Sequence, residues 1–149
     1  EQLKPFLEEK KIYASDDFLK KIAEAERERV KTLQDFFILA DFFFTLPDYE
    51  ANLLIWKTEP VSTIKTVLEK TFEIIKNTEA GDFERQTLFN SLGPLANEYG
   101  RGAVFWPLRV AVSGKSASPD PLVILGVLGK DETERRIGIA LNKIQSLII

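Results

Sequence analysis

Apolar residues in this chain recur at three- and four-residue intervals, and that periodicity points to packed helices. Leu33, Phe36, Phe37, Ala40 and Phe44 follow the helical spacing. So do Ile64, Val67, Leu68, Phe72 and Ile75, and later Ile137, Leu141, Ile144 and Ile148. No stretch shows the strict alternation of a half-buried strand. The expected class is all-α, a helical bundle or α-helix cage of two packed subdomains. The chain has 149 residues, 44% of them hydrophobic, with 11 Phe, enough for a sizeable and partly aromatic core.

Punctuating residues divide the pattern. Ser15-Asp16-Asp17 reads as an N-cap cluster for a helix with Phe18, Ile22 and Ala25 on its apolar face. The acids Asp16, Asp17, Glu24, Glu26 and Glu28 then fall at a helix start and on a solvent face, the ordinary place for them. Thr32 opens the Phe-rich helix and Leu46-Pro47-Asp48 ends it. Pro60-Val61-Ser62 starts a helix reaching about Lys76. After a turn at Asn77 to Gly81, Asp82 begins another, which Gly93-Pro94 breaks or kinks and Gly100-Arg101-Gly102 closes. Ala103 to Val112 is helical and Ser113 to Pro121 is a loop rich in Ser, Gly and Pro. Leu122 to Leu128 forms a short helix stopped by Gly129, and Asp131 caps the last one. The best boundary lies near Thr45-Leu46-Pro47. It separates a three-helix unit, residues 1–45, from a longer helical unit, residues 46–149.

Composition excludes several function classes. The chain has no Cys and no His, which removes thiol chemistry and the commonest general base and metal ligands. No catalytic residue and no metal site is expected, and the reducing cytoplasm is the expected home. It also has no Met, so it reads as a piece of a longer protein. Its apolar runs are too short to cross a membrane: Phe36 to Phe44 is broken by Asp41, and Pro121 to Gly129 is brief. Gly114-Lys115-Ser116 resembles the end of a phosphate-binding P-loop, but Arg109 stands where that pattern needs glycine, and a helix rather than a strand precedes it.

The net charge is −3, which does not advertise a nucleic-acid binder, yet charge is unevenly placed. Between Tyr99 and Pro119 there is no Asp or Glu, while Arg101, Arg109 and Lys115 contribute +3 and leave −6 elsewhere. Such a window is either a phosphate-facing surface or a buried helix followed by a polar loop. Arg109 stands among Trp106, Pro107, Leu108, Val110 and Val112. A guanidinium is costly to bury unpaired, so it either forks to a ligand or ties down the carbonyls of a helix end. Phe105 and Trp106 are either stacking platforms or core. Glu26-Arg27-Glu28-Arg29 reads by composition as surface ion pairs, each worth little.

The stretch VFWPLRVAVSGKSASPDPLVILGVLGKDETERRI, from Val104 to Ile137, resembles the C-terminal signature of bacterial glutamyl-tRNA synthetases. Those proteins carry a Trp-Pro-Leu-Arg block, a Ser-Pro loop and a Leu-Gly-Lys block in their anticodon-binding part. The resemblance implies RNA-binding roles for Arg29, Arg109, Ser118, Pro119 and Pro121, and the acid-free window adds Arg101 and Lys115 to the expected RNA-binding set. Arg29 enters as the second arginine of an Arg-x-Arg just before Thr32-Leu33, which in the family reads the last anticodon base. Where relatives often carry Gly and a bulkier apolar residue after the Ser-Pro, this chain has Asp120 and Pro121, and a carboxylate is unfavourable beside a polyanion. The implied partner is tRNA-Glu, through its anticodon loop and stem, with no membrane partner and a monomeric state. Residues 1–45 would be the stem-contact-like unit and 46–149 the anticodon binder. The implied parent is a class I synthetase using ATP and Mg2+ on a catalytic domain whose motifs are absent here, so no cofactor is expected in this chain. The alternative is an α-helical protein–protein interaction module that binds partner helices through exposed Phe and Leu.

Overall fold

The computed structural model describes residues 16–26 and 40–148. In chain order the elements are α1 (Asp16–Glu26), a helical stretch at 40–44, and a 3-10 turn at Ala51–Leu54. Then come α2 (Val61–Lys76), a second 3-10 turn at Ala80–Asp82, α3 (Arg85–Tyr99), α4 (Arg101–Ser113), α5 (Pro121–Leu128) and α6 (Lys130–Gln145). No strand occurs among the described residues, and the fold is all-α.

Composition puts α4 at the centre. Ala103, Val104, Leu108, Val110, Ala111 and Val112 are all buried, so most of its circumference is apolar. Such a helix needs neighbours on several sides. It packs against α2, α3, α5, α6 and the Ala51–Leu54 turn. The remaining helices are amphipathic and contribute one stripe each: Ile64, Val67, Leu68 and Ile75 from α2, and Ile137, Ala140 and Ile144 from α6. The Phe-rich segment also turns inward. Phe42 and Phe43 are buried, and Phe44 meets Phe18 of α1 edge-on at 5.8 Å. Leu19 and Ile22 join the same buried cluster, and α1 packs on α5.

Four boundaries differ from the sequence reading, each for a physical reason. Asp82 closes a 3-10 turn instead of opening a helix, because the next residue, Phe83, is buried; α3 then starts after Glu84. Gly93-Pro94 does not break α3. Pro94 is exposed, so water can serve the carbonyl its missing N–H leaves free, while Leu92, Leu95 and Ala96 hold the helix to the core. Gly100 alone turns the chain, at φ +96, and places Arg101 as the first residue of α4. Gly129, at φ +84, both closes α5 and opens α6, so Asp131 lies within the first turn, where its charge complements the helix dipole. One side chain is also corrected. Glu26, read as a solvent-face charge, is buried, because it falls seven residues after Leu19 on the stripe of Leu19 and Ile22.

Gly102 records how tightly α4 is packed. A Cβ there would stand 2.2 Å from the indole of Trp56. That indole in turn packs on Trp106 at 5.4 Å, and Trp106 Nε1 donates to the Leu53 carbonyl at 2.8 Å. The Ala51–Leu54 turn is thus fastened to one side of α4, leaving the side that carries Arg101, Phe105 and Arg109.

Candidate nucleic-acid interface

Two helical rows build the site. On α4, Arg101, Phe105 and Arg109 follow each other at four-residue spacing and so share one face. On α3, Arg85 and Phe89 form a second such pair. The rows meet in a cleft of about 310 Å3, closed at one end by Asp120, Pro121 and Leu122 at the start of α5. Arginines and aromatic rings therefore alternate around one concave surface.

The rings and cations are organised against each other. The guanidiniums of Arg85 and Arg101 each lie 5.7 Å from the centroid of Phe89, within cation–π range. Arg85 Nε also donates to Asp120 Oδ2 at 2.8 Å. Asp120 Oδ1 accepts from the Leu122 N–H at 2.9 Å and so caps α5, with Pro121 at its first position. The carboxylate that looked unfavourable beside a polyanion is thus countered by Arg85. α4 has no side-chain cap: Gly100 precedes it, and Arg101 stands at its positive end.

Arg109 is half-buried in the cleft wall, and among the described residues no hydrogen bond or ion pair holds its guanidinium. The alternative role, tying down a helix end, belongs to another arginine. Arg136 of α6 is 1% exposed, donates through Nη1 to the Val112 carbonyl at the end of α4 at 2.6 Å, and pairs through Nε with Glu132 at 2.7 Å. With Val112 served from α6, Arg109 is left to face the cleft.

The other sequence candidates distribute as follows. Arg101, Arg109 and Pro121 line the cleft. Ser118 and Pro119 lie in the loop leading into Asp120, half-buried, with Ser118 Oγ donating to the Pro119 carbonyl at 2.8 Å. Lys115 points elsewhere: its ammonium pairs with Asp41 and lies 5.3 Å from the centroid of the Phe42 ring, joining the α4–α5 loop to the 40–44 stretch. Arg29 lies outside the described residues. Phe105 lines the cleft, whereas Trp106 is committed to Trp56 and Leu53, so the two aromatics weighed together have different roles. Arg85 and Phe89 were missed in sequence. Their four-residue spacing was visible, but only folding brings α3 against α4.

Gly114-Lys115-Ser116 is a helix terminus. Gly114 closes α4 in the left-handed conformation at φ +69, and Lys115 is taken by Asp41. No group of three or more His, Cys, Asp or Glu is placed to hold a metal among the described residues, and none of their helices is long and apolar enough to cross a membrane.

Comparison with known proteins gives this geometry a family. The family described as "anticodon binding domain" matches residues 1–141. The glutamate–tRNA ligase of Clostridium acetobutylicum is 35% identical over 133 residues, covering 85% of this chain and 27% of that protein. The glutamate–tRNA ligase of Solibacter usitatus is 36% identical over 122 residues, covering 79% of this chain and 25% of that protein. The crystal structure of a glutamate tRNA ligase from Elizabethkingia meningosepticum, in complex with its amino acid, superposes with a TM-score of 0.81 at 27% identity, over 96% of this chain and 28% of that one. The chain thus spans about a quarter of the length of these relatives. With a helical fold of that shape, and an arginine-lined cleft within the matched region, the chain belongs to the anticodon binding domain family.

Proposed function

We propose that this chain binds the anticodon loop of tRNA-Glu as the anticodon-binding part of a glutamate–tRNA ligase. The observation that carries the reading is the cleft in which Arg85, Arg101 and Arg109 surround Phe89 and Phe105. Sequence-specific RNA recognition takes unstacked loop bases, stacks them on aromatic or guanidinium planes, and hydrogen-bonds their edges. Phe105 and the Phe89–arginine stack supply planes, and the unengaged guanidinium of Arg109 supplies a two-pronged donor for a base edge. Arg101, at the uncapped start of α4, is suited to phosphate. Pro119 and Pro121 stiffen the loop that ends at Asp120, so little entropy is lost when a base meets it.

On this reading residues 46–149 hold the anticodon reader, residues 1–45 contact the stem, and Arg29 adds a second base-reading arginine. The working unit is a monomer in the cytoplasm. Glutamate activation with ATP and Mg2+ belongs to a catalytic domain of the parent enzyme, and this chain supplies binding energy that positions the tRNA. The test is a titration with tRNA-Glu and with an anticodon-altered version across a salt series. The expected result is salt-dependent binding that weakens when the anticodon is altered. Equal, salt-insensitive binding of both would remove the reading.

A further inference from the structure

We infer that the groove between α2 and α3 docks a basic amphipathic helix of a protein partner. This surface is separate from the arginine-lined cleft, with which it shares no lining residue. The inference therefore stands or falls independently of the anticodon-binding reading.

The argument starts from an apolar floor where two helices meet solvent. The buried stripe of α2 runs through Ile64, Val67, Leu68, Thr71 and Ile75. Thr66, Lys70 and Ile74 form a second row beside it at four-residue spacing, and Ile74 is only half-buried. Pro94 and Leu95 of α3 line the same groove, which has a volume of about 530 Å3. Pro94 is exposed although it stands inside α3. A proline there costs the helix a hydrogen bond, and its ring adds apolar surface to the groove. From Thr66 to Ile74 the groove follows α2 for about 12 Å. The apolar side chains at i, i+3, i+4 and i+7 of a docked helix span about 10.5 Å, so one such stripe fits.

The charged rim decides what kind of helix. Glu69 and Glu73 stand on the α2 side and Glu98 on the α3 side, all three exposed. Lys70 is the one cation among the lining residues, and its ammonium lies 5.3 Å from the centroid of the Tyr99 ring. Glu69 meets Lys65 at 3.5 Å, an exposed pair of little worth that a partner's cation can replace. Three carboxylates against one ammonium repel a phosphate backbone, so RNA is the wrong occupant. They complement lysines and arginines that flank an apolar stripe. Such a helix lays its stripe on Ile74, Pro94 and Leu95 and sets its cations against the glutamates on either side.

The experiment titrates the isotope-labelled chain with two synthetic helical peptides and follows its amide resonances. Both peptides carry leucines at i, i+3, i+4 and i+7; one has lysines on both flanks of that stripe and the other has glutamates. The lysine peptide should bind about tenfold more tightly than the glutamate peptide, and should move the resonances of α2 and α3 around Ile74 and Leu95. The double variant Glu73→Lys with Glu98→Lys, at exposed positions, should reverse that order. The neutral pair Glu73→Gln with Glu98→Gln should abolish it, which keeps the test decisive if the reversed pair fails to fold by circular dichroism. Glu79→Lys, exposed but outside the groove, should leave the order unchanged. The inference falls if neither peptide binds, if both bind alike, or if the shifts lie away from α2 and α3. It falls equally if Glu79→Lys acts as strongly as the groove variants, which would reveal diffuse charge attraction. An anticodon stem-loop of tRNA-Glu that moves the same α2 and α3 resonances would make the groove an RNA surface and overturn the inference as well.

Discussion

Arg109 and Arg136 both occupy apolar surroundings, yet the fold uses them in opposite ways. Arg136 is buried and doubly engaged, by Glu132 and by the Val112 carbonyl. Arg109 is half-buried, and no described residue engages it. Replacing Arg136 with Ala leaves a buried carbonyl without its donor and Glu132 without one partner, so stability should fall by about 3 kcal/mol. Arg109→Ala should change stability by less than about 0.5 kcal/mol, yet weaken tRNA binding by roughly 1–3 kcal/mol, by an amount that depends on the anticodon base present. Urea unfolding and RNA titration of both variants check the contrast, and a large loss of stability in Arg109→Ala would move that residue out of the site. Sequence singled out Arg109 because it stands alone in an apolar run. It gave no sign of Arg136, which sits in the charged string Glu132 to Arg136 and serves a carbonyl on another helix, 24 residues away.

Between helices, what counts is how one element holds another. Glu132 in the first turn of α6 accepts from Arg135 and Arg136, and these contacts lower its pKa from 4.5 to about 2, the Arg135 hydrogen bond most and against the opposing effect of burial. Because the folded value is the lower one, the contribution to stability is complete above the unfolded value of 4.5 and is lost as pH falls toward about 2. The stability difference between the unaltered chain and Glu132→Gln should therefore be constant at neutral pH and shrink across that acid window, as measured by urea midpoints at a series of pH values. A difference independent of pH would show that Glu132 contributes only packing. Gly102 provides a second check. A Cβ would meet the Trp56 indole at 2.2 Å, so Gly102→Ala, despite the better helix former, should destabilise by about 1–3 kcal/mol and shift the tryptophan emission. Helix identities were legible because the stripes of α2 and α6 are strongly periodic. Helix ends were less so, since Phe83 and Gly100 set theirs through burial and backbone conformation, which local composition does not reveal.

Across the whole molecule, an acidic chain has gathered cations around one cleft. The net charge is −3, but Arg85, Arg101 and Arg109 share that cleft with Asp120 as its one acid among the described residues. Sequence pointed to half of this: the acid-free window supplied Arg101 and Arg109, whereas Arg85 comes from another helix and only folding brings it across. Lys115 lies in the same window yet is spent on Asp41, so charge counted along the chain overstates what faces a ligand. Phosphate contacts release counterions, and for single-stranded RNA the logarithm of affinity should fall with the logarithm of salt at about 0.7 per phosphate neutralised. Arg101, exposed at the uncapped start of α4, is the cation best placed to make such a contact. Arg101→Ala should therefore weaken all tRNA-Glu anticodon variants alike and reduce the salt slope by about 0.7. Lys115→Ala, whose charge is already paired away from the cleft, should leave the slope unchanged. Titration of both variants over a salt series decides the matter. A slope lost with Lys115 and kept without Arg101 would mean that RNA approaches over the 40–44 stretch, and the interface would have to be redrawn on that side of the molecule.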